Sequence, residues 1–367
     1  MTRRYRTLKG GIATALLAGS TLLAADNYSF AVIGDQPYVP TEAAPGGGLQ
    51  QKYPAPLYVN LINQINADTS VQFTMHIGDI KAGNTLCQDR VLDQNLASFN
   101  SFTNPVIYTP GDNEWTDCHR TNNGALHPLE RLAKLRATFY PDGNSLGTNK
   151  RPLARQSDNP GHALYRENAK WVEGPVLFVT LHMPGSNNNH QQVYQGPVPC
   201  GPANFNLPCA FTEDEYLARN DANITWLNQA LSDAKSSSTI KGVVIGIQAN
   251  PFQRFLEPVS ASNPIVYTES GYADFMERLR AFVRSSGLQV LLVNGDTHTF
   301  RINQPLTDLY PFITQLIPAG TAFMNFTRTE VFAQNNVHWT KVTVNPNNSA
   351  LFEIQPMCVP TNGGVCP

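Results

Sequence analysis

Apolar residues along the chain fall into two rhythms. Short runs rich in β-branched and aromatic residues predict strands over 28–33, 71–77, 105–108, 163–172, 175–181, 241–247 and 289–293. Between them, apolar positions three and four apart predict helices over 57–67, 92–102, 128–139 and 272–284, and from Phe211 onward, where Ile224, Leu227 and Leu231 share a face. Strand, helix, strand in this order implies crossover units and a parallel sheet with helical cover. The end of the chain is β-rich: Val337 and Trp339 alternate with polar neighbours, then Val342 and Val344, with 351–354 as a partner strand. The alternation slips by one residue between Trp339 and Val342, which predicts a bulge there. The stretch 36–56 is too rich in Pro and Gly to hold a regular element. The stretch 185–208 reads as an ordered loop pinned by a disulfide.

Four of the predicted strands end in the same way. Ile33-Gly34-Asp35, Ile77-Gly78-Asp79, Pro110-Gly111-Asp112 and Asn294-Gly295-Asp296 each place an aspartate after a glycine, and the last continues to Thr297-His298. Ligands of α/β sheets gather outside the carboxyl ends of the strands, and glycine there allows a sharp turn. Singly, each pair is an ordinary turn sequence. Together, several aspartates at one sheet edge would repel one another, and a cation is the natural partner.

Composition narrows the picture. Only 15% of residues are charged and the formal net charge is −2, which gives no electrostatic reason to expect a nucleic-acid or membrane partner. Arg3, Arg4, Arg6 and Lys9 precede an uncharged run over 10–25 that ends in small residues, the pattern of an export signal. The expected organisation is therefore a signal over 1–25 and one domain over 26–367, with a secreted or periplasmic destination and no later membrane span. Six cysteines suit an oxidising compartment. Sequence proximity suggests Cys200 with Cys209 and Cys358 with Cys366, leaving Cys87 with Cys118 to tie together the loops after Asp79 and Asp112. That bridge would contribute roughly 2–4 kcal/mol.

Taken in order, these strand ends resemble the calcineurin-like metallophosphoesterase superfamily, whose members carry D-x-H, GD, GNH followed by D or E, a histidine before a Pro-containing turn, and GHxH. The resemblance covers roughly residues 28–354. It implies an α+β fold, a four-layer αββα sandwich with two mixed β-sheets. It also implies that Asp35, Asp79 and His298 hold one divalent metal, and that Asp79, Asp112, Asp296 and the Gln248 carbonyl hold a second. Asn113 falls where the family has the histidine that protonates the leaving group, and Gln248 and Asp296 fall where it has two more. An oxygen-rich donor set of this kind favours Mg²⁺, Ca²⁺ or Mn²⁺ over zinc.

Asn113 cannot give up a proton, so His182 or His119 is the candidate acid. Each has an alternative as a hydrogen-bonded structural histidine, the reading also given to His76. Asn113, Asn187 and Asn188 are candidate donors to a phosphoryl group, the last two with an alternative as turn residues. Glu114 is expected to brace its loop rather than bind metal. The resemblance implies an exported hydrolase of small phosphate esters. The alternative is a relative that has lost catalysis and binds a ligand or metal. No Gly-x-Ser-x-Gly occurs to suggest a serine hydrolase, although Gly185-Ser186 follows a strand.

Overall fold

The computed structural model describes residues 26–190, 193–194, 211–252, 265–266, 270–308, 320–334 and 336–367 of the 367-residue chain. The expected export signal and the Cys200–Cys209 pairing lie outside these residues, as does most of the loop expected over 185–208. Among the described residues no helix is long and apolar enough to cross a membrane.

Two mixed sheets form the centre. The first joins β1 (Tyr28–Ile33), β2 (Val71–His76), β3 (Val106–Tyr108), β11 (Trp339–Val344) and β12 (Phe352–Met357) in the order β12-β11-β1-β2-β3. The second joins β4 (Ala154–Arg155), β5 (Ala169–Glu173), β6 (Val176–Thr180), β7 (Gly242–Gly246), β8 (Gln289–Asn294), β9 (Arg301–Asn303) and β10 (Phe326–Glu330) in the order β9-β10-β8-β7-β6-β5-β4. Each has a parallel heart, β1-β2-β3 in one and β6-β7-β8-β10 in the other, with antiparallel strands at the edges.

Alternation along each strand explains the layering. In β1, Phe30 and Val32 face the second sheet and meet Phe73, Met75, Phe178, Val244, Leu291 and Val293. Ala31 and Ile33 face the other way, onto α1 (Pro56–Ala67), α2 (Asp89–Asn100) and α3 (Pro128–Phe139) through Tyr58, Leu61, Phe99 and Phe139. The outer face of the second sheet buries Val179, Val243, Ile245 and Leu292 against α4 (Phe211–Ser236) and α5 (Ala273–Ser286). Three apolar interfaces thus separate four layers, helix, sheet, sheet and helix, and the fold is the α+β sandwich that the sequence led us to expect.

Three local expectations are corrected. The stretch 36–56 does hold a regular element, a small hairpin of Thr41–Ala43 with Leu49–Gln51, because its glycines at 46–48 all take positive φ and supply the turn. The strand expected over 163–172 begins only at Ala169; the residues before it form turns after the short helix Pro160–His162. No bulge interrupts β11, which pairs continuously with β12 from Trp339 to Val344. Trp339 packs under the helices and Val342 between the sheets, so the slipped alternation records apolar anchors on opposite faces of one continuous strand.

The aromatic cluster between the sheets should govern stability. Phe73 stacks on Phe30 at 5.2 Å and meets the edges of Phe178 at 5.1 Å and Trp171 at 5.5 Å. Phe73→Ala is expected to destabilise the protein by about 3–5 kcal/mol, read as a lowered urea midpoint at unchanged slope.

Candidate metal centre

The parallel strands of both sheets deliver their carboxyl ends to one place. Asp35 and Asp79 follow β1 and β2, and Asp296 and His298 follow β8; all four have positive φ, at 51°, 56°, 80° and 56°. Here the structure reverses the expected division of labour. Of the glycines in the four Gly-Asp steps, only Gly78 takes a positive φ, so at Asp35 and Asp296 the aspartate itself makes the left-handed turn. The glycines are there for room. A Cβ on Gly111 would lie 2.0 Å from Asp79 Oδ1, and one on Gly295 would lie 2.6 Å from Asp35 Oδ2. One on Gly185 would lie 2.6 Å from Asp296 Oδ1 and 2.9 Å from Asp112 Oδ2, so carboxylates from the two sheets meet across that residue.

Ligand atoms of Asp35, Asp79 and His298 all lie within 4.8 Å of one another. Asp79 is held from several sides. Its Oδ2 accepts from the Tyr38 hydroxyl at 2.8 Å and from Asn113 Nδ2 at 2.8 Å, and its Oδ1 accepts from the Asn113 N–H. Glu114 Oε1 accepts from the N–H groups of Asp79 and Gly111 and from the Tyr108 hydroxyl at 2.7 Å, which makes it a brace. The Tyr38 ring meets His298 edge-on at 5.3 Å. Asp112 Oδ2 accepts from Ser186 Oγ at 2.6 Å, and Asp117, beside it, pairs with Arg120 at 2.6 Å. The Cys87–Cys118 disulfide forms, with both sulfurs close to the Asn113 carbonyl, and Cys358 pairs with Cys366. Buried Lys81 donates to the Asn113 carbonyl at 2.9 Å from beneath the loop.

Other candidates are placed differently. Gln248 Oε1 accepts from the Gly185 N–H, while its Nε2 is buried without a partner among the described residues. Asn187 Oδ1 accepts from the Gly271 N–H, and Asn188 is spanned by Gly271 and Arg219; both side chains are fully buried. His182 is also fully buried, its Nδ1 2.8 Å from Glu167 Oε1 and its ring against Trp115. His119 Nδ1 bonds the Thr116 carbonyl. His76 lies in the core between the Gln36 carbonyl and the Gly78 N–H. Tyr38 and Asp117 were not singled out by sequence, and Ser186 was noted only for its place after a strand. Tyr38 stands in the Pro-rich loop without a motif, whereas Asp117 lies within the same loop as Asp112.

Electrostatics favours a cation here. Burial, and then Asp296, raises the Asp35 carboxyl well above the usual carboxylate range; burial, and then Asp112, does the same for both Asp79 and Asp296. Burial raises Asp117 to about 7, with Asp112 adding to it. Asp35 Oδ1 is buried with no hydrogen-bond partner among the described residues. An unpartnered buried carboxylate oxygen beside a second carboxylate and an imidazole fits a divalent ion.

No protein-family model matches the sequence, and no curated protein sequence does. Solved structures do align with it. A dimetal phosphatase from Danio rerio aligns at 13% identity and a TM-score of 0.44, over 90% of this chain and 99% of the other. A purple acid phosphatase from yellow lupin seeds aligns at 12% and 0.47 over 93% of this chain, and a 5'-nucleotidase precursor from Thermus thermophilus at 12% and 0.42 over 90%. The chain spans about half the length of these last two, 53% and 54%.

The raised carboxyls predict a pH-dependent metal effect. A group whose folded pKa lies above its unfolded value of about 3.9 is stabilising only in acid, and that contribution is lost as pH rises through the folded pKa. In chelator, Asp35, Asp79 and Asp296 should therefore weaken the fold progressively above about pH 4. The gap in Tm between protein with Mn²⁺ or Mg²⁺ and protein in chelator should widen as pH rises, as measured by differential scanning calorimetry. A gap that is flat or narrows with pH would mean that these carboxylates do not face the ion.

Proposed function

We propose that this protein is a metal-dependent hydrolase of small phosphate esters. The observation that carries the reading is the convergence of Asp35, Asp79 and His298, with Asp35 Oδ1 buried and unpartnered among the described residues. These three residues would hold one divalent cation, and Asp112 and Asp296 would add carboxylates for a second. The oxygen-rich set favours Mg²⁺, Ca²⁺ or Mn²⁺. When bound, such ions lower the pKa of a coordinated water and offset charge on phosphoryl oxygens.

The chain's own residues contribute orientation. Asn113 and Tyr38 fix Asp79 Oδ2, while Glu114 fixes the backbone of Asp79 and Gly111. Proton delivery is where the site is poor. Asn113 has no proton to transfer, and His182 is turned to Glu167 in the core, where burial lowers its pKa. Substrates whose leaving groups depart without protonation are therefore the best served. Export to an oxidising compartment is part of the proposal, supported by the Cys87–Cys118 and Cys358–Cys366 disulfides. That neither Asn113 nor His182 is placed to deliver a proton also favours a second reading, a metal- or ligand-binding protein without turnover.

The two readings part in one assay. Metal-loaded protein should hydrolyse nitrophenyl phosphates and lose activity in chelator, and alkyl phosphates should react roughly 10²-fold or more slowly, the size of the missing general-acid contribution. Asp79→Asn should cost at least about 10²-fold in kcat. No metal-dependent turnover, together with wild-type metal binding by Asp79→Asn, would sink the proposal.

A further inference from the structure

Resting on that reading, we infer that Gln248 and Ser186 together form the pocket for a non-bridging phosphoryl oxygen, with Gln248 acting as a donor to substrate rather than as a carbonyl ligand to metal. The argument begins with the amide. A backbone N–H can only donate, and the Gly185 N–H points at the Gln248 side chain, so the atom facing it is Oε1. This fixes Nε2 on the other side. Nε2 is buried with no partner among the described residues, and Gln248 is fully buried. A buried amide N–H₂ without an acceptor is costly and rare in a native interior.

The surroundings say where the missing acceptor belongs. The Gln248 side chain lies over Gly78, where a Cβ would meet its Cγ at 2.7 Å and the Gly111 nitrogen at 2.5 Å. On its other side is Gly185, with Asp112 and Asp296 against it. The amide thus sits among Asp79, Asp112 and Asp296, where a donor with nothing to bind calls for an oxygen that arrives with the cation.

Ser186 supplies the second part. It is half-buried, while Gly185, Asn187, Asn188 and Asn189 around it are buried. Its hydroxyl lies 2.6 Å from Asp112 Oδ2 and 3.3 Å from Asp117 Oδ1, and one proton can serve only one of them. Asn187 and Asn188 are engaged with Gly271 and Arg219, so Ser186 is the member of this turn that faces the carboxylates.

The probe is inorganic phosphate, titrated calorimetrically into full-length, Mn²⁺-loaded protein whose metal content is measured by elemental analysis. Gln248→Glu keeps Oε1 for the Gly185 N–H and replaces the donor with a second carboxylate oxygen. It should weaken phosphate at least tenfold while metal content holds or rises. Ser186→Ala should weaken phosphate by a smaller factor, roughly three- to tenfold, the worth of one hydrogen bond. Unchanged phosphate affinity in both variants would overturn the inference, as would wild-type protein that binds metal but no phosphate. So would a Gln248→Glu protein that loses metal yet binds phosphate normally once loaded, since that is the behaviour of a ligand. Should Gln248→Glu fail to fold, Ser186→Ala decides alone, and unchanged affinity rejects the pocket. The titration needs no turnover, so absent hydrolysis with intact phosphate binding would reject the proposed function and leave the pocket standing.

Discussion

Carboxylates gathered at one buried point repel one another, and most of the local structure around the strand ends follows from holding them there. Asp35, Asp79 and Asp296 each bend into left-handed backbone conformation, which costs an L-residue about 1–2 kcal/mol and which aspartate tolerates better than most. Glycines at 111, 185 and 295 leave space for carboxylate oxygens to lie against the chain. Hydrogen bonds from Tyr38, Asn113 and Asn250 then fix individual oxygens, and Glu114 fixes the backbone on which two of the loops turn. An arrangement that combines strain, desolvation and like charge persists only when surrounding structure imposes it and a counter-charge relieves it.

The imposition comes from the two sheets. Their parallel hearts are packed face to face through Phe30, Phe73, Phe178 and Leu291, and this sets the height at which the strands of both sheets end. A rigid apolar interface is what allows Asp35 from one sheet and Asp296 from the other to come together across more than 250 residues of chain, with the Asp296 N–H donating to Asp35 Oδ2 at 3.0 Å. The Cys87–Cys118 bridge acts at a shorter range, on the loops that follow Asp79 and Asp112.

Sequence revealed what depends on local pattern and concealed what depends on the far side of the fold. The strands ending in Gly-Asp were legible because apolar runs and turn residues stand next to each other. What the glycines were for was not legible: a side chain would meet Ile77 at Gly34, Gln248 at Gly78, Asp79 at Gly111 and Asp35 at Gly295, each distant in sequence from the glycine it touches. Trp339 and Val342 suggested a bulge because alternation presumes a single apolar face, and β11 places apolar anchors on both. Tyr38 could not be found at all, since only the folded Pro-rich loop brings its hydroxyl to Asp79. The run Asn187-Asn188-Asn189 was readable as a turn, but not as a left-handed one.

That left-handed run ties chemistry to the second sheet's buried polar interior. Ser186 to Asn189 have φ between 51° and 58°, a conformation in which asparagine is tolerated because its side chain can hydrogen-bond locally. Here those side chains are engaged from outside the turn. Arg219, fully buried on α4, donates to the carbonyls of His182 and Asn188 and lies over the Trp115 ring at 5.7 Å. Trp115 belongs to the loop that carries Asp112, and its other neighbour is His182, held by Glu167, which is in turn forked by Arg136. Burial alone would raise the Glu167 carboxyl, but Arg136 and His182 outweigh it and hold it far below the usual range. Glu167 therefore stays ionised in the interior against Arg136, and the turn that follows His182 brings the Ser186 hydroxyl to Asp112 Oδ2. On this view His182 matters to the centre through its backbone, whose carbonyl accepts from Arg219 and Asn223 while its ring is held by Glu167.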